Sequence, residues 1–497
     1  MKKRKILALF LALLLCLQLA VLTACKEDGD YLEKSAKDLS TYAVTAELNE
    51  QAKTITAEQK LTYRNNTDSV LKELRLHLYP NAFREGASIE PVDKTDETVA
   101  YPEGKSYGGI EISKAAAGGG AFEIGGADEN ILILPLGKEL FPDESVEAEI
   151  CFVSKFPQMN HRFSFNDRVF NAAHWFPIVC VWEDGGFVQD PYYSYGDPFY
   201  SEMANFEVVL TLPKAFKAAT TGNVISRTET QNTQTLTISA RCVRDFAFTA
   251  SKSFSVLTGS YKDITVNYFF LADERAQKNL EISVKSLEFF SKRIAEYPYA
   301  VLNVVQTDFC YGGMEYPNLV FVASSLSGGE EERVIVHEIA HQWWYNLVGN
   351  NQVKHAWLDE GLTEFSTAYF FKKHKGEFFD DFDKIVSRAE KSFTVYSDIV
   401  KNYGGKVDTT MNKPSNEFRT QQHYVIMTYV KGMLLFNNLC NTMGEKRFEK
   451  ALKLYFEQNK TQIARPENLI ASFEKAFGGS LKSYFDAWLG NEGVVVQ

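Results

Sequence analysis

Two histidines four positions apart, His337 and His341, bracket Glu338 in the segment Val334-Ile335-Val336-His337-Glu338-Ile339-Ala340-His341-Gln342-Trp343-Trp344. Glu360 follows, with eighteen residues between it and His341. Residues i and i+4 share one face of a helix, so both imidazoles reach the same point in space. A carboxylate that joins them there has to come from a second helix packed against the first. Val334, Ile335, Ile339, Trp343 and Trp344 supply the apolar jacket that would keep such a helix pair dry and rigid. Three protein ligands and a fourth position open to water are the ligand count of a hydrolytic zinc site rather than a sealed structural one. The competing reading is a core helix with two hydrogen-bonded histidines. With eight histidines in 497 residues, a chance H-E-x-x-H is rare.

The amino-terminal segment reads as an address. Lys2, Lys3, Arg4 and Lys5 precede an apolar run from Ile6 to Ala24, which closes in Leu22-Thr23-Ala24-Cys25. That ending resembles the bacterial lipobox. It predicts a lipoprotein signal peptide over residues 1–24, cleavage before Cys25, and a lipid on Cys25. The protein is then exported and lipid-anchored to the bacterial cell membrane, facing outside the cytoplasm; an uncleaved membrane anchor is the alternative. Loss of residues 1–24 removes four positive charges and no acids, so the formal charge moves from −11 to −15. A chain that acidic, with no Lys/Arg block outside the signal, is not a nucleic-acid binder. The remaining cysteines (Cys151, Cys180, Cys242, Cys310, Cys440) are odd in number and contain no C-x-x-C, so neither a disulfide framework nor a zinc ribbon is indicated.

About 470 mature residues imply more than one domain. A polar linker over residues 25–40 leads into alternating, strand-like runs at 42–48, 53–57, 74–78, 131–134, 146–153, 206–212, 236–238 and 246–250. These predict a β-sandwich or saddle domain over residues 41–262. The glycine- and alanine-rich stretch 104–126 reads as an irregular loop. From 263 onward the pattern changes to a strand at 264–271, a helix at 278–297, a buried strand at 301–305, the histidine helix, the Glu360 helix to about 373, and further helices to 497. The expected fold is therefore multi-domain, β followed by α+β.

Between the buried strand and the histidine helix lies Tyr311-Gly312-Gly313-Met314-Glu315-Tyr316-Pro317. Paired glycines allow close approach of a backbone to a ligand, and the adjacent carboxylate can hold a cation. Together with the histidine motif, this segment makes the chain resemble the aminopeptidase N family of zinc exopeptidases, the gluzincin aminopeptidases. The G-x-M-E-N signature of that family matches Gly312-Gly313-Met314-Glu315, with Tyr316 where asparagine is usual. Its W-L-N-E-G looks like Trp357-Leu358-Asp359-Glu360-Gly361, and its tyrosine before Lys-Gly matches Tyr429-Val430-Lys431-Gly432. Weaker likeness runs upstream through His174-Trp175-Phe176-Pro177, Asn205-Phe206-Glu207-Val208 and Asp245-Phe246-Ala247-Phe248.

The resemblance implies a thermolysin-like metallopeptidase domain over residues 263–497 with one Zn2+ per chain on His337, His341 and Glu360. Glu338 is implied as general base and Tyr429 as oxyanion donor. Gly312, Gly313, Met314 and Glu315 are implied as substrate-binding, with Glu315 on the free α-ammonium of a peptide substrate. A second amine-binding residue is expected from the first domain, near residues 170–175. Glu364, one turn beyond Glu360, is a candidate to orient a ligand histidine, and Tyr424 a candidate pocket wall; His174, His355 and His423 read as structural. Two departures stand out. Tyr316 is expected to alter the substrate pocket, and without the large helical domain common in the family the cleft is expected to be more open. The implied activity is aminopeptidase. Competing readings are a zinc endopeptidase or narrow-substrate hydrolase, and a non-catalytic peptide-binding lipoprotein. Oligomeric state is not legible.

Overall fold

The computed structural model describes residues 30–490. The signal segment and Cys25 lie outside the described residues. Residues expected as linker include a helix, Asp30–Ala36. Leu32 is buried and its carbonyl accepts from Cys242 Sγ at 3.2 Å, while Asn205 Nδ2 donates to Ala36 O at 2.8 Å. One apolar side chain and two borrowed hydrogen bonds thus turn a polar stretch into part of the body.

The first domain is built from sheets. A seven-stranded sheet has the order Asn223–Glu229, Thr233–Val243, Ala204–Pro213, Thr41–Asn49, Thr54–Arg64, Ser145–Lys155, Gly109–Ala116. All neighbours are antiparallel except Thr41–Asn49 with Ala204–Pro213. Tyr42, Val44, Ala46 and Leu48 are buried while the residues between them face solvent, the period-two pattern of a half-covered strand. The covered face packs on two four-stranded sheets, one through Leu71–His77 and Ile131–Leu140, the other through Phe248–Ser251 and Phe170–Ala172. The stack of Tyr42 on Phe206, with centroids 4.8 Å apart, is typical of the aromatic filling.

Two sequence expectations need correction here. The stretch 104–126 is not loop throughout, because Gly109–Ala116 is an edge strand and Glu123–Gly125 pairs with Ile131–Leu140. An edge strand is held by backbone bonds on one side, so it can form with few apolar side chains. The second correction is the domain boundary. Ser255–Tyr261 pairs antiparallel with Ile264–Phe270, so the second domain begins ahead of residue 263.

The second domain opens with a five-stranded sheet in the order Ser255–Tyr261, Ile264–Phe270, Val301–Thr307, Leu319–Ala323, Gly313–Met314. The first and last pairs are antiparallel and the middle two parallel. The connection between Ile264–Phe270 and Val301–Thr307 is the helix Ala276–Arg293, which buries Leu280, Ile282, Leu287 and Phe290. Below the sheet lie the helices Glu330–Ala340 and Glu360–Lys373, then Phe382–Asn402, Gly432–Met443, Glu445–Asn459, Pro466–Phe477 and Lys482–Leu489. Among the described residues, no helix is long and apolar enough to cross a membrane.

Arg244, buried at the end of strand Thr233–Val243, clamps the domains together. Its Nε donates to Tyr345 O at 2.8 Å and Asn346 O at 3.0 Å, Nη1 to Ser201 O at 3.2 Å, and Nη2 to Gln462 O at 2.7 Å. Gly349 lies against this guanidinium, and a Cβ there would collide with it.

Candidate active site

His337 lies in the last turn of Glu330–Ala340 and His341 caps it. The helix starts at Gly329 with three glutamates in its first turn, a placement favoured by the helix dipole. Glu331 and Glu332 both pair with Arg275, which pins that end. Glu360 opens the next long helix, Glu360–Lys373, which is buried almost all round.

The three side chains converge. His337 Nε2 and His341 Nε2 are 3.1 Å apart, and Glu360 Oε2 is 3.3 Å and 3.2 Å from them. Four ligands placed tetrahedrally about 2.0–2.1 Å from a zinc ion stand about 3.3–3.4 Å from one another. The far nitrogens are turned to acceptors: His341 Nδ1 lies 2.9 Å from Trp344 O, and His337 Nδ1 lies 3.3 Å from Glu364 Oε1. With Nδ1 protonated against those oxygens, both Nε2 atoms present lone pairs to each other and to a carboxylate. Three buried acceptors facing one another need a cation between them, and nitrogen with carboxylate oxygen suits zinc. The donor set fits the metal.

Glu364 is not a solvated helix carboxylate. It is largely buried, touches His337 with one oxygen and accepts from Arg333 Nη2 with the other at 2.7 Å. Glu338 is also buried and lines the central cavity. Burial pushes its carboxyl up to about 8, with His337 opposing and Glu315 adding repulsion.

The strand Gly313–Met314 is an edge of its sheet and, among the described residues, pairs only with Leu319–Ala323. Gly313 and Glu315 line the cavity together with Gly312. A Cβ on Gly313 would run into the Glu338 carboxylate, so this glycine makes room for the acid as well as for a ligand. Met314, expected among the substrate-binding residues, does not line the cavity. Strand alternation buries it elsewhere, where its Sδ accepts from Arg162 Nε at 3.3 Å. Tyr316 is likewise fully buried, edge-on to Phe321 with centroids 5.1 Å apart, so it changes the core and not the pocket wall.

Glu315 accepts from Gln352 Nε2 at 3.0 Å. Facing it across the domain junction is Asp197, buried and held by Arg162 Nη2 at 2.5 Å. Single carboxylate oxygens of Asp197, Glu315 and Glu360 all lie within 4.8 Å of one another. Asp197 is thus the first-domain acid beside Glu315, whereas for such a first-domain residue the sequence points to 170–175. There, His174 turns away to Asp245, at 2.9 Å. The available signal for Asp197 was a lone acid inside the aromatic run from Tyr192 to Tyr200.

Tyr429 reaches the site from a π-helical turn, Ile426–Lys431, and donates its hydroxyl to Glu360 Oε1 at 2.6 Å. Its approach depends on two glycines: a Cβ on Gly361 would stand 2.8 Å from Gly432 Cα, so the two helices touch backbone to backbone. Burial raises the Tyr429 phenol well above its ordinary value, and the Glu360 charge adds to this, so it remains a donor at neutral pH. Tyr424 lines the same cavity. His355 and His423 do not; they bond to Asn412 Oδ1 at 2.7 Å and Asp408 O at 2.9 Å. The cavity holds about 740 Å³ and lies between the domains.

Residues 278–488 match the family model described as Peptidase family M1 domain. Leucine aminopeptidase 2-1 from Meyerozyma guilliermondii is 32% identical over 159 residues, 31% of this chain and 25% of that protein. A leukotriene A-4 hydrolase homolog from Botryotinia fuckeliana is 30% identical over 183 residues, 35% of this chain and 27% of that protein. The matched stretch thus spans about a quarter of the length of these relatives. Among solved structures, an M1 zinc metallopeptidase from Deinococcus radiodurans superposes with a TM-score of 0.64 at 15% identity, covering 92% of this chain and 95% of that one. A two-domain M1 zinc metallopeptidase gives 0.63 at 16% identity, covering 93% and 95%. Residues 278–488 are thus similar to the Peptidase family M1 domain, and the chain as a whole shares the two-domain fold of the M1 zinc metallopeptidase structures.

Proposed function

We propose that the protein is a zinc-dependent aminopeptidase that removes amino-terminal residues from peptides outside the cytoplasm. The observation that carries this reading is the placing of Glu315 and Asp197 beside the His337–His341–Glu360 triangle, a few ångströms from it. Glu315, hydrogen-bonded to the neutral amide of Gln352, holds a free α-ammonium one residue from the metal, with Asp197 beside it already paired to Arg162, and this restricts cleavage to the amino end.

Zinc, when bound, supplies Lewis acidity at the scissile carbonyl and the attacking water. The residues of the chain do the rest. Glu338 takes the proton from the water and passes it to the departing amine. Its raised affinity for protons, set by burial, suits a group that must gain and then release one. Gly312 and Gly313 offer the open side of an edge strand to an extended peptide. Tyr429 swings its hydroxyl from Glu360 to the developing oxyanion. Glu364 and Arg333 fix the orientation of His337. Support for export and lipid anchoring comes from Lys2–Lys5, the apolar run and Leu22-Thr23-Ala24-Cys25.

Paired substrates decide between exo- and endopeptidase. Free aminoacyl anilides should be cleaved and their N-acetyl forms should not; equal cleavage of both would make the enzyme an endopeptidase. Glu338→Gln should keep zinc and fold while kcat falls by at least about three orders of magnitude. Undiminished turnover in that variant would remove Glu338 from the mechanism.

A further inference from the structure

The carboxylates of the cavity are mostly engaged. Asp197 pairs with Arg162, Glu364 with Arg333 and Asp380 with Arg388. Glu360 faces the histidines, Glu338 is the general base, and Glu315 stands ready for the α-ammonium. Glu330 opens a helix, where the dipole favours an acid. Asp96 has no such occupation. It lines the cavity from the first domain, and its Oδ2 accepts from Gln421 Nε2 of the second domain at 2.8 Å. Gln421 is held in turn, its Oε1 accepting from Thr95 Oγ1 at 2.9 Å. Among the described residues Asp96 has no cationic partner, and Asp93 adds to the negative field.

Its surroundings fit a long cationic side chain. Asp96 lines the cavity together with Cys310, Tyr311, Tyr195 and Tyr424. Tyr195 and Tyr424 stand with centroids 5.8 Å apart, and Tyr195 donates to Phe418 O at 2.8 Å, so these walls are fixed. Tyr311 immediately precedes Gly312, the start of the strand that would align the peptide. Aromatic walls take an aliphatic stem, and a carboxylate beyond them takes its charged tip. The charge of the whole chamber agrees: eight carboxylates line it against three guanidinium groups, and with Glu338 protonated and a dication on the metal ligands the balance still stays negative.

Resting on the aminopeptidase reading above, we infer that Asp96 is a specificity-determining residue that selects peptides beginning with arginine or lysine. The test compares anilides of arginine and of citrulline, its neutral isostere, on the zinc-loaded full chain. Their kcat/KM ratio should be at least about ten in the wild type, since a tenfold preference needs only about 1.4 kcal/mol of differential binding. In Asp96→Asn the ratio should collapse toward unity, and in Asp96→Lys it should invert. A second readout is independent of turnover: Glu338→Gln should bind arginine amide about ten-fold more tightly than citrulline amide in calorimetry, and the added Asp96→Asn change should abolish the difference. A wild-type ratio near unity, or a ratio that survives Asp96→Asn, overturns the inference while leaving the aminopeptidase intact. Failure to cleave either anilide, with N-acetylated peptides cleaved instead, overturns both.

Discussion

The paired glycines at 312 and 313 look equivalent in sequence, but the structure gives them opposite tolerances. A Cβ added to Gly312 meets only Val334 Cγ2, at an ordinary 3.6 Å. One added to Gly313 stands 2.7 Å from Val334 Cγ1 and 2.7 Å from the carboxyl carbon of Glu338, and nearer still to its Oε1. Carbon atoms rest about 3.5–4.0 Å apart, so Gly313→Ala has to drive Glu338 and Val334 back by about 1 Å. A displacement of that size at a reacting group costs about 100-fold in rate, or about 2.7 kcal/mol in the barrier. The crowding should also cost roughly 1–3 kcal/mol of stability. The metal ligands are not touched, so zinc content should stay at the wild-type level. Steady-state kinetics with a free aminoacyl anilide, metal analysis and thermal unfolding measure the three quantities. Gly313→Ala should lose most of its activity in kcat, and Gly312→Ala should lose less than about ten-fold. Similar losses at the two positions, or a Gly313→Ala variant within a few-fold of wild type, would refute the steric account of Glu338.

Other outcomes follow from the same structure. Arg244→Met removes the donor to three carbonyls across the domain junction and to Ser201 O within its own domain, and should cost at least about 3 kcal/mol, seen as a lower unfolding temperature and faster proteolysis between the domains; an unchanged unfolding temperature would contradict the clamp. Burial lowers His77 to about 4, and His161 moves the same way. Their neutral forms are native, so below about pH 6.5 the unfolded chain binds protons that the folded one refuses, and stability falls with pH. The His77 share is roughly 3 kcal/mol by pH 4, and His77→Gln should flatten the pH slope of denaturant unfolding. Glu364→Gln should weaken zinc affinity by about 10–100-fold while retaining the fold, and chelator competition would show it. Unaltered affinity would mean that Glu364 does not orient His337.

The parts of the molecule legible in sequence are those whose logic is local. The metal helix could be read because a period of 3.6 aligns His337 with His341, and strand Thr41–Asn49 because its burial alternates. Gly109–Ala116 escaped because an edge strand relies on backbone pairing that its side chains do not announce. Asp197 escaped because its meaning depends on Arg162 and Glu315, which lie far from it along the chain. The motif around Met314 points it at the substrate, although strand alternation turns it into the core. The tolerance of Gly361 for Gly432 shows the same limit, since each glycine is intelligible only once the other is beside it.

The most direct test is the metal content of purified protein. Wild type and Glu338→Gln should each carry about one zinc per chain, and His337→Ala, His341→Ala and Glu360→Ala should each lose it. Stoichiometric zinc retained by His341→Ala, or full peptidase activity in protein stripped of metal, would contradict the site described.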